Sequence, residues 1–316
     1  MKQRTLGRTG LQVSALALGT VELGIEYGIV MPGESGRPAL EESIRLVHAA
    51  IDGGINLIDT ARTYGESEAV LGQALRGRRS QVVLATKVAT HNAADGKTLR
   101  GQELRERMVT SLDTSLRMLE TDYVDIWQIH NVDSVLLEER EIVAEVFEAA
   151  RKAGKIRATG GSTYGAEMPL RAIESNLFDM LQVTYSVLDQ RLVDKVLPTA
   201  AENNIGILVR SILLKGVLTS RGDYLPDHLA ELRNRSREFR KLIADARINA
   251  SAVQAAIAFG LAQPHIDSVL VGLRSLEELH EALGAAELEL PEALVAKMAE
   301  LRLDDEDLLN PSTWGF

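Results

Sequence analysis

The chain has 316 residues, 45% of them hydrophobic and 25% charged, with a net charge of −10. That length and apolar content suit one large α/β barrel with added loops, and the acidic balance argues against non-specific binding to nucleic acid or to an anionic membrane. There is no cysteine, which excludes disulfides, thiolate metal sites and cysteine nucleophiles.

The opening Met1-Lys2-Gln3-Arg4-Thr5 has no apolar signal-peptide core. No apolar run approaches the roughly 18 residues of a membrane span. The expectation is a cytoplasmic protein, monomeric or homo-oligomeric, that acts on a small molecule and holds no metal. Residues 2–16 alternate loosely around Gly7 and Gly10 and read as a β-hairpin that caps one end of the fold.

Strands and helices then alternate. A strand over 13–19 precedes a helix over 39–52, with Ile44, Val47 and Ile51 on one stripe. The next strand ends at Asp59, and a helix follows from Ser67, an N-cap residue type, with Val70, Leu71 and Leu75. A third strand ends at Lys87, and the helix over 101–119 carries Leu104, Met108, Leu112 and Leu116 at helical spacing. The fourth strand ends at His130, and its helix over 137–153 stops at Gly154. Strands over 156–160, 180–185, 206–210 and 268–271 each precede a helix, over 169–175, 193–203, 252–263 and 276–283, with a tail helix over 291–301.

Eight strand–helix units in order predict a (β/α)8 barrel, forming a single domain over 1–316. A doubly wound sheet would show a Gly-x-Gly-x-x-Gly turn after an early strand, and none is present. Nor is there a Walker loop or a His-Glu-x-x-His pair. Three segments exceed ordinary loop length, over 21–37, 215–250 and 304–316, and all fall on the C-terminal face of the barrel, where such enzymes carry their chemistry.

Asp59, Lys87 and His130 stand at strand ends, and Tyr64 lies just beyond one. Each alone has an ordinary structural use, but together on successive strands they describe a reaction centre. A phenol, which ordinarily titrates at about pH 10, needs help to act as an acid at neutral pH. A nearby ammonium lowers that pKa, and an aspartate keeps a buried ammonium charged. A histidine on the next strand can polarise a substrate oxygen. The set suits protonation of a carbonyl oxygen while a hydride arrives from a cofactor.

The stretch Gly53-Gly54-Ile55-Asn56-Leu57-Ile58-Asp59-Thr60-Ala61-Arg62-Thr63-Tyr64-Gly65-Glu66-Ser67-Glu68, followed by Thr86-Lys87 and by Asp125-Ile126-Trp127-Gln128-Ile129-His130-Asn131, resembles the aldo-keto reductases. The resemblance runs from the hairpin through Gly272. It implies an NADP(H)-binding barrel with Tyr64 as acid/base, Lys87 and Asp59 as its tuning pair, and His130 as the orienter of the carbonyl.

The same resemblance implies the cofactor set. Ser162, Thr163 and Gln182 would hold the nicotinamide carboxamide, with Thr163 where the family has asparagine. Arg210 would stack where an aromatic is usual. Ser211, Leu213 and Gly216 would line the pyrophosphate, with Arg221 near phosphate, and Gly19, Thr20 and Asp59 join the set. Gly272 permits close approach at a helix start that favours an anion. Arg274 would meet the 2′-phosphate and Glu281 the adenine, while Glu278 and Ala282 replace the common glutamine and asparagine.

Tyr27, Met31, Tyr224, Trp314 and Phe316 are candidate walls of the substrate pocket, and Arg62 and Asn131 would suit a hydroxylated substrate. Three activities remain open at this point. They are reduction of an aldehyde or ketone, sugar-like or otherwise; a sugar epimerase or dehydrogenase that recycles its cofactor; and a non-catalytic, redox-sensing regulatory subunit.

Overall fold

Successive side chains of a strand point to opposite faces, so residues two apart share a face. In the computed structural model, which describes residues 1–29, 31, 36–311 and 313–315, that rule organises the whole molecule. The strands are β1 (Gln3–Thr5), β2 (Gln12–Ser14), β3 (Leu16–Gly19), β4 (Leu57–Asp59), β5 (Val83–Val88), β6 (Val124–Ile129), β7 (Ile156–Ser162), β8 (Met180–Thr184), β9 (Gly206–Arg210) and β10 (Ser268–Gly272). β1 and β2 pair as the expected antiparallel hairpin. The other eight form a closed barrel in the order β10-β3-β4-β5-β6-β7-β8-β9, with all pairs parallel.

The helices are α1 (Val21–Gly24), α2 (Leu40–Asp52), α3 (Ser67–Ala74), α4 (Gly101–Met118), α5 (Ser134–Glu138), α6 (Arg140–Lys152), α7 (Glu167–Glu174), α8 (Val196–Glu202), α9 (Ala230–Ala246), α10 (Ala252–Leu261), α11 (Leu276–Ala285), α12 (Glu292–Ala299) and α13 (Glu306–Leu309). Every residue of β5 and β6 is buried, as expected for parallel strands packed on both faces. The outer core joins strand residues such as Leu84 and Trp127 to helix residues such as Leu104, Leu112 and Phe147. Among the described residues no helix is long and apolar enough to cross a membrane.

Inside the barrel lies a separate apolar cluster: Ala17, Leu57, Val83, Ala85, Ile126, Ala158, Met180 and Leu208, closed from below by Leu6, Leu11 and Val13 of the hairpin. Two residues further along the same strands the inner positions turn polar: Asp59 after Leu57, Lys87 after Ala85, Gln128 after Ile126, Gln182 after Met180 and Arg210 after Leu208. Strand periodicity thus carries the site directly above a sealed apolar layer.

Two local expectations change. The helix over 137–153 is divided at Glu139 into α5 and α6, and Asp133 caps α5 by accepting from the Leu136 N–H at 2.8 Å. Ser67 is not an N-cap. It lies inside α3 with its hydroxyl 2.8 Å from the Thr20 carbonyl and 2.9 Å from Thr60 Oγ1, because a buried hydroxyl takes the partners that packing offers.

Candidate active site

Asp59 ends β4 and is buried. Its Oδ2 receives the Lys87 ammonium from the end of neighbouring β5. Its Oδ1 accepts from Gln128 Nε2 at 2.8 Å and from Gln182 Nε2 at 3.1 Å. Lys87 Nζ also donates to the Thr60 carbonyl at 2.9 Å and lies 3.4 Å from Tyr64 Oη, so its three protons are all directed.

Tyr64 sits on the turn between β4 and α3, which is fastened to β5. The Thr60 and Arg62 N–H groups donate to the Ala85 and Lys87 carbonyls at 2.9 and 3.1 Å. Arg62 pairs with the buried Glu68, which accepts from Thr86 Oγ1 at 2.7 Å. Gly24 closes the other side: a Cβ there would stand 1.7 Å from the Tyr64 carbonyl oxygen. The His130 ring meets the Tyr64 ring edge-on at 5.5 Å between centroids, and its Nδ1 lies 3.0 Å from Thr63 Oγ1.

The electrostatics differ from the expectation in one respect. The Lys87 ammonium does not bring the Tyr64 phenol below its ordinary range. Burial raises it well above its ordinary range, and the Asp59 carboxylate adds to the rise, because the ammonium is matched by Asp59 and approaches the phenol only at 3.4 Å. Burial also draws Lys87 down, against the pull of Asp59. His130 is lowered to about 3, first by burial and then by the Lys87 and Arg210 charges. Around neutral pH the site therefore presents a neutral phenol and a neutral imidazole.

Both groups open onto a cavity of about 670 Å³ on the C-terminal face of the barrel. Of the expected cofactor residues, Gly19, Ser162, Gln182, Arg210, Ser211, Leu213, Gly216, Arg221, Gly272, Arg274, Glu278 and Glu281 line it. Thr20, Asp59 and Thr163 do not; Thr20 Oγ1 donates to the Asp59 carbonyl at 2.9 Å, and Thr163 Oγ1 is buried without a partner among the described residues. Gln182 gives its amide N–H to Asp59 and lines the cavity. Arg210 lies 4.0 Å over the Tyr164 ring and donates to the Thr163 carbonyl at 3.1 Å.

Among the cations, Arg221 donates to the Ile29 carbonyl at 3.0 Å and Arg274 to the Tyr27 carbonyl, which ties residues 27–29 to the cavity wall. Glu278 accepts from the Arg274 N–H at 2.7 Å, and Glu281 from Ser251 Oγ at 2.5 Å. Ser211 and Lys215, both on the wall, hold positive φ angles of 62° and 55°, the kind of backbone strain that gathers at functional sites.

Tyr27 and Met31 line the cavity as expected. Tyr224 is exposed and Trp314 is buried with its Nε1 on the Leu308 carbonyl, so neither is a wall. Phe316 lies outside the described residues. Arg62 opens instead onto a separate groove beside α4, and Asn131 is exposed. Gln128, Glu22, Tyr164, Lys215 and Arg240 went unread. Gln128 alone had a usable signal, since it stands two residues before His130 on one strand.

A nicotinamide dinucleotide suits this cleft. Ser162 and Gln182 line it together with Tyr64 and His130, the orphaned Thr163 hydroxyl follows Ser162 in the chain, and Arg210, Arg221, Arg240 and Arg274 add positive charge to the wall. Among the described residues no His, Asp or Glu cluster could hold a metal.

Residues 15–303 match the profile described as the Aldo/keto reductase family. The chain is 32% identical to aldo-keto reductase YhdN of Bacillus subtilis, covering 90% of this chain and 89% of that one. It is 30% identical to the NADH-specific methylglyoxal reductase of Escherichia coli, over 95% and 98% of the two chains. A solved aldo-keto reductase from Bacillus halodurans, AKR11C1 in its holo form, superposes with a TM-score of 0.78 at 25% identity, over 95% and 96% of the chains.

Proposed function

This chain belongs to the aldo/keto reductase family, and from that premise we propose that it reduces an aldehyde or ketone to an alcohol with NADP(H), on a small or sugar-like substrate. One observation carries the reading: Tyr64 and His130 share the cavity wall, and Lys87, held by Asp59, stands behind the phenol.

The cofactor supplies the hydride when bound. Ser162 and Gln182 would hold its carboxamide, Ser211, Leu213 and Gly216 would border its pyrophosphate, and Arg274 would meet a 2′-phosphate. Tyr64 then serves as the general acid. Its neutral phenol donates a hydrogen bond to the substrate oxygen and releases its proton as negative charge grows there. The Lys87 ammonium stabilises the phenolate left behind, and Asp59, Gln128 and Gln182 fix the ammonium in place. With Nδ1 accepting from Thr63, His130 offers an Nε2 proton to the same oxygen and orients it.

NADPH oxidation with a panel of aromatic aldehydes, aliphatic aldehydes and aldoses, run beside Tyr64→Phe, tests the proposal. Turnover should fall at least about 100-fold in the variant while the cofactor dissociation constant stays within a few-fold. Normal turnover in the variant would remove Tyr64 as the acid. Because a relative is named as NADH-specific, both cofactors belong in the panel.

A further inference from the structure

The cleft contains one group that the proposed chemistry does not use. Glu22, on α1 just past the end of β3, lines the cavity and is 9% exposed. Its Oε2 is buried with no hydrogen-bond partner among the described residues. The carboxyl lies flush on the barrel wall, since a Cβ at Gly272 would stand 2.1 Å from Glu22 Oε1. Gly19 and Gly272 are paired across that wall and both face the cavity.

A carboxylate with one oxygen unpartnered is out of place here. Arg210, Lys215, Arg221, Arg240 and Arg274 line the same cleft, a wall suited to an anionic ligand. A carboxylate set among them would repel that ligand and forfeit its own hydration. The protonated acid reverses the relation, because its O–H is a donor for which the described residues offer no acceptor, and phosphate oxygens accept.

We infer that Glu22 is a cofactor-contacting residue that binds as the carboxylic acid, donating its O–H to an oxygen of the dinucleotide's diphosphate. The inference rests on the dinucleotide reading above. The charged and titratable groups around Glu22 are Arg274 and Glu278 beyond β10, Tyr27 on its own loop and Tyr64 across the cleft. Arg37, which donates to the α1 carbonyl of Leu23 at 3.0 Å, is paired with Glu66. Burial outweighs the hydrogen bond from Glu22's own backbone N–H and the Arg274 charge, and raises the carboxyl to about 7, so the proton is available near neutrality and is taken up on binding at higher pH.

The test is calorimetric titration of the full chain with NADH in buffers of different ionisation enthalpy. NADH is the probe because it lacks the 2′-phosphate, which itself titrates near neutrality. Near pH 8 the native protein should take up close to one proton per NADH bound, and near pH 6 almost none. Its affinity should fall about tenfold between those values. Glu22→Gln, which keeps a donor of the same shape, should abolish the uptake and bind more tightly than the native protein near pH 8.

Binding without proton uptake near pH 8, measured on the native protein alone, overturns the inference. So does uptake that survives in Glu22→Gln. Failure of NADH and NADPH alike to bind would instead bring down the dinucleotide reading itself, and this inference with it.

Discussion

Gln182 donates a hydrogen bond to Asp59 at 3.1 Å, which joins a side chain expected at the cofactor to one expected behind the acid. Gln128 reaches the same oxygen at 2.8 Å. The carboxylate that holds Lys87 is thus itself held from β6 and β8. Removing one donor from a buried carboxylate costs about 1–3 kcal/mol. Gln182→Leu should therefore both raise the NADPH dissociation constant and slow single turnover at saturating cofactor. Stopped-flow measurement separates the two effects, and a rate constant equal to that of the native protein would deny the Asp59 contact any part in the chemistry.

His130 gives a pH prediction with a definite sign. Its folded-state value of about 3 lies below the ordinary 6.5. Between those values the unfolded chain binds more protons than the folded one. The contribution to stability is fully present above about 6.5 and is lost as pH falls toward 3, with a slope of at most ~1.4 kcal/mol per pH unit from this one group. Urea midpoints of His130→Gln should depend less on pH across that window than those of the native chain. Identical pH dependence would mean that the ring is not desolvated.

Gly24 supplies a steric prediction. A Cβ would stand 1.7 Å from the Tyr64 carbonyl oxygen, so Gly24→Ala must move either α1 or the turn that carries the phenol. Overpacking of this kind costs about 1–3 kcal/mol. The variant should melt earlier and lose kcat, and a native melting temperature together with native kcat would show that the turn yields freely.

Arg274→Ala should weaken NADPH by about tenfold or more and NADH much less, because only NADPH carries the phosphate that a guanidinium would pair with. Equal losses for the two cofactors, measured by fluorescence titration, would take Arg274 away from the 2′-phosphate.

The barrel was legible because its signal is periodic. Leu57 and Asp59, or Ala85 and Lys87, share a face by strand geometry, and eight repeats of strand and helix leave few ways to close. Element ends were less so, as the division at Glu139 shows. Tyr64, Lys87, Asp59 and His130 could be grouped because each follows a recognisable strand. Glu22 and Arg240 could not, since they reach the cleft from a short helix and from an inserted one, and no strand phase fixes their direction. The Tyr64 phenol was misjudged in sign for a related reason. A sequence can suggest that a lysine and an aspartate pair beside a phenol, but not how deeply the phenol itself is buried.

The cleft lies where the ring of strands is joined. Gly19 on β3 and Gly272 on β10 are partners in register, so the earliest and latest barrel strands meet at one wall of the cleft. The hairpin spans the same distance in sequence, with the Arg4 guanidinium donating to the Leu261 and Ile266 carbonyls at 2.8 and 2.6 Å. A chain still emerging from the ribosome lacks that wall of the cleft until its last barrel strand arrives. A dinucleotide that clasps this seam would recognise only finished molecules, and by mass action it would hold them closed.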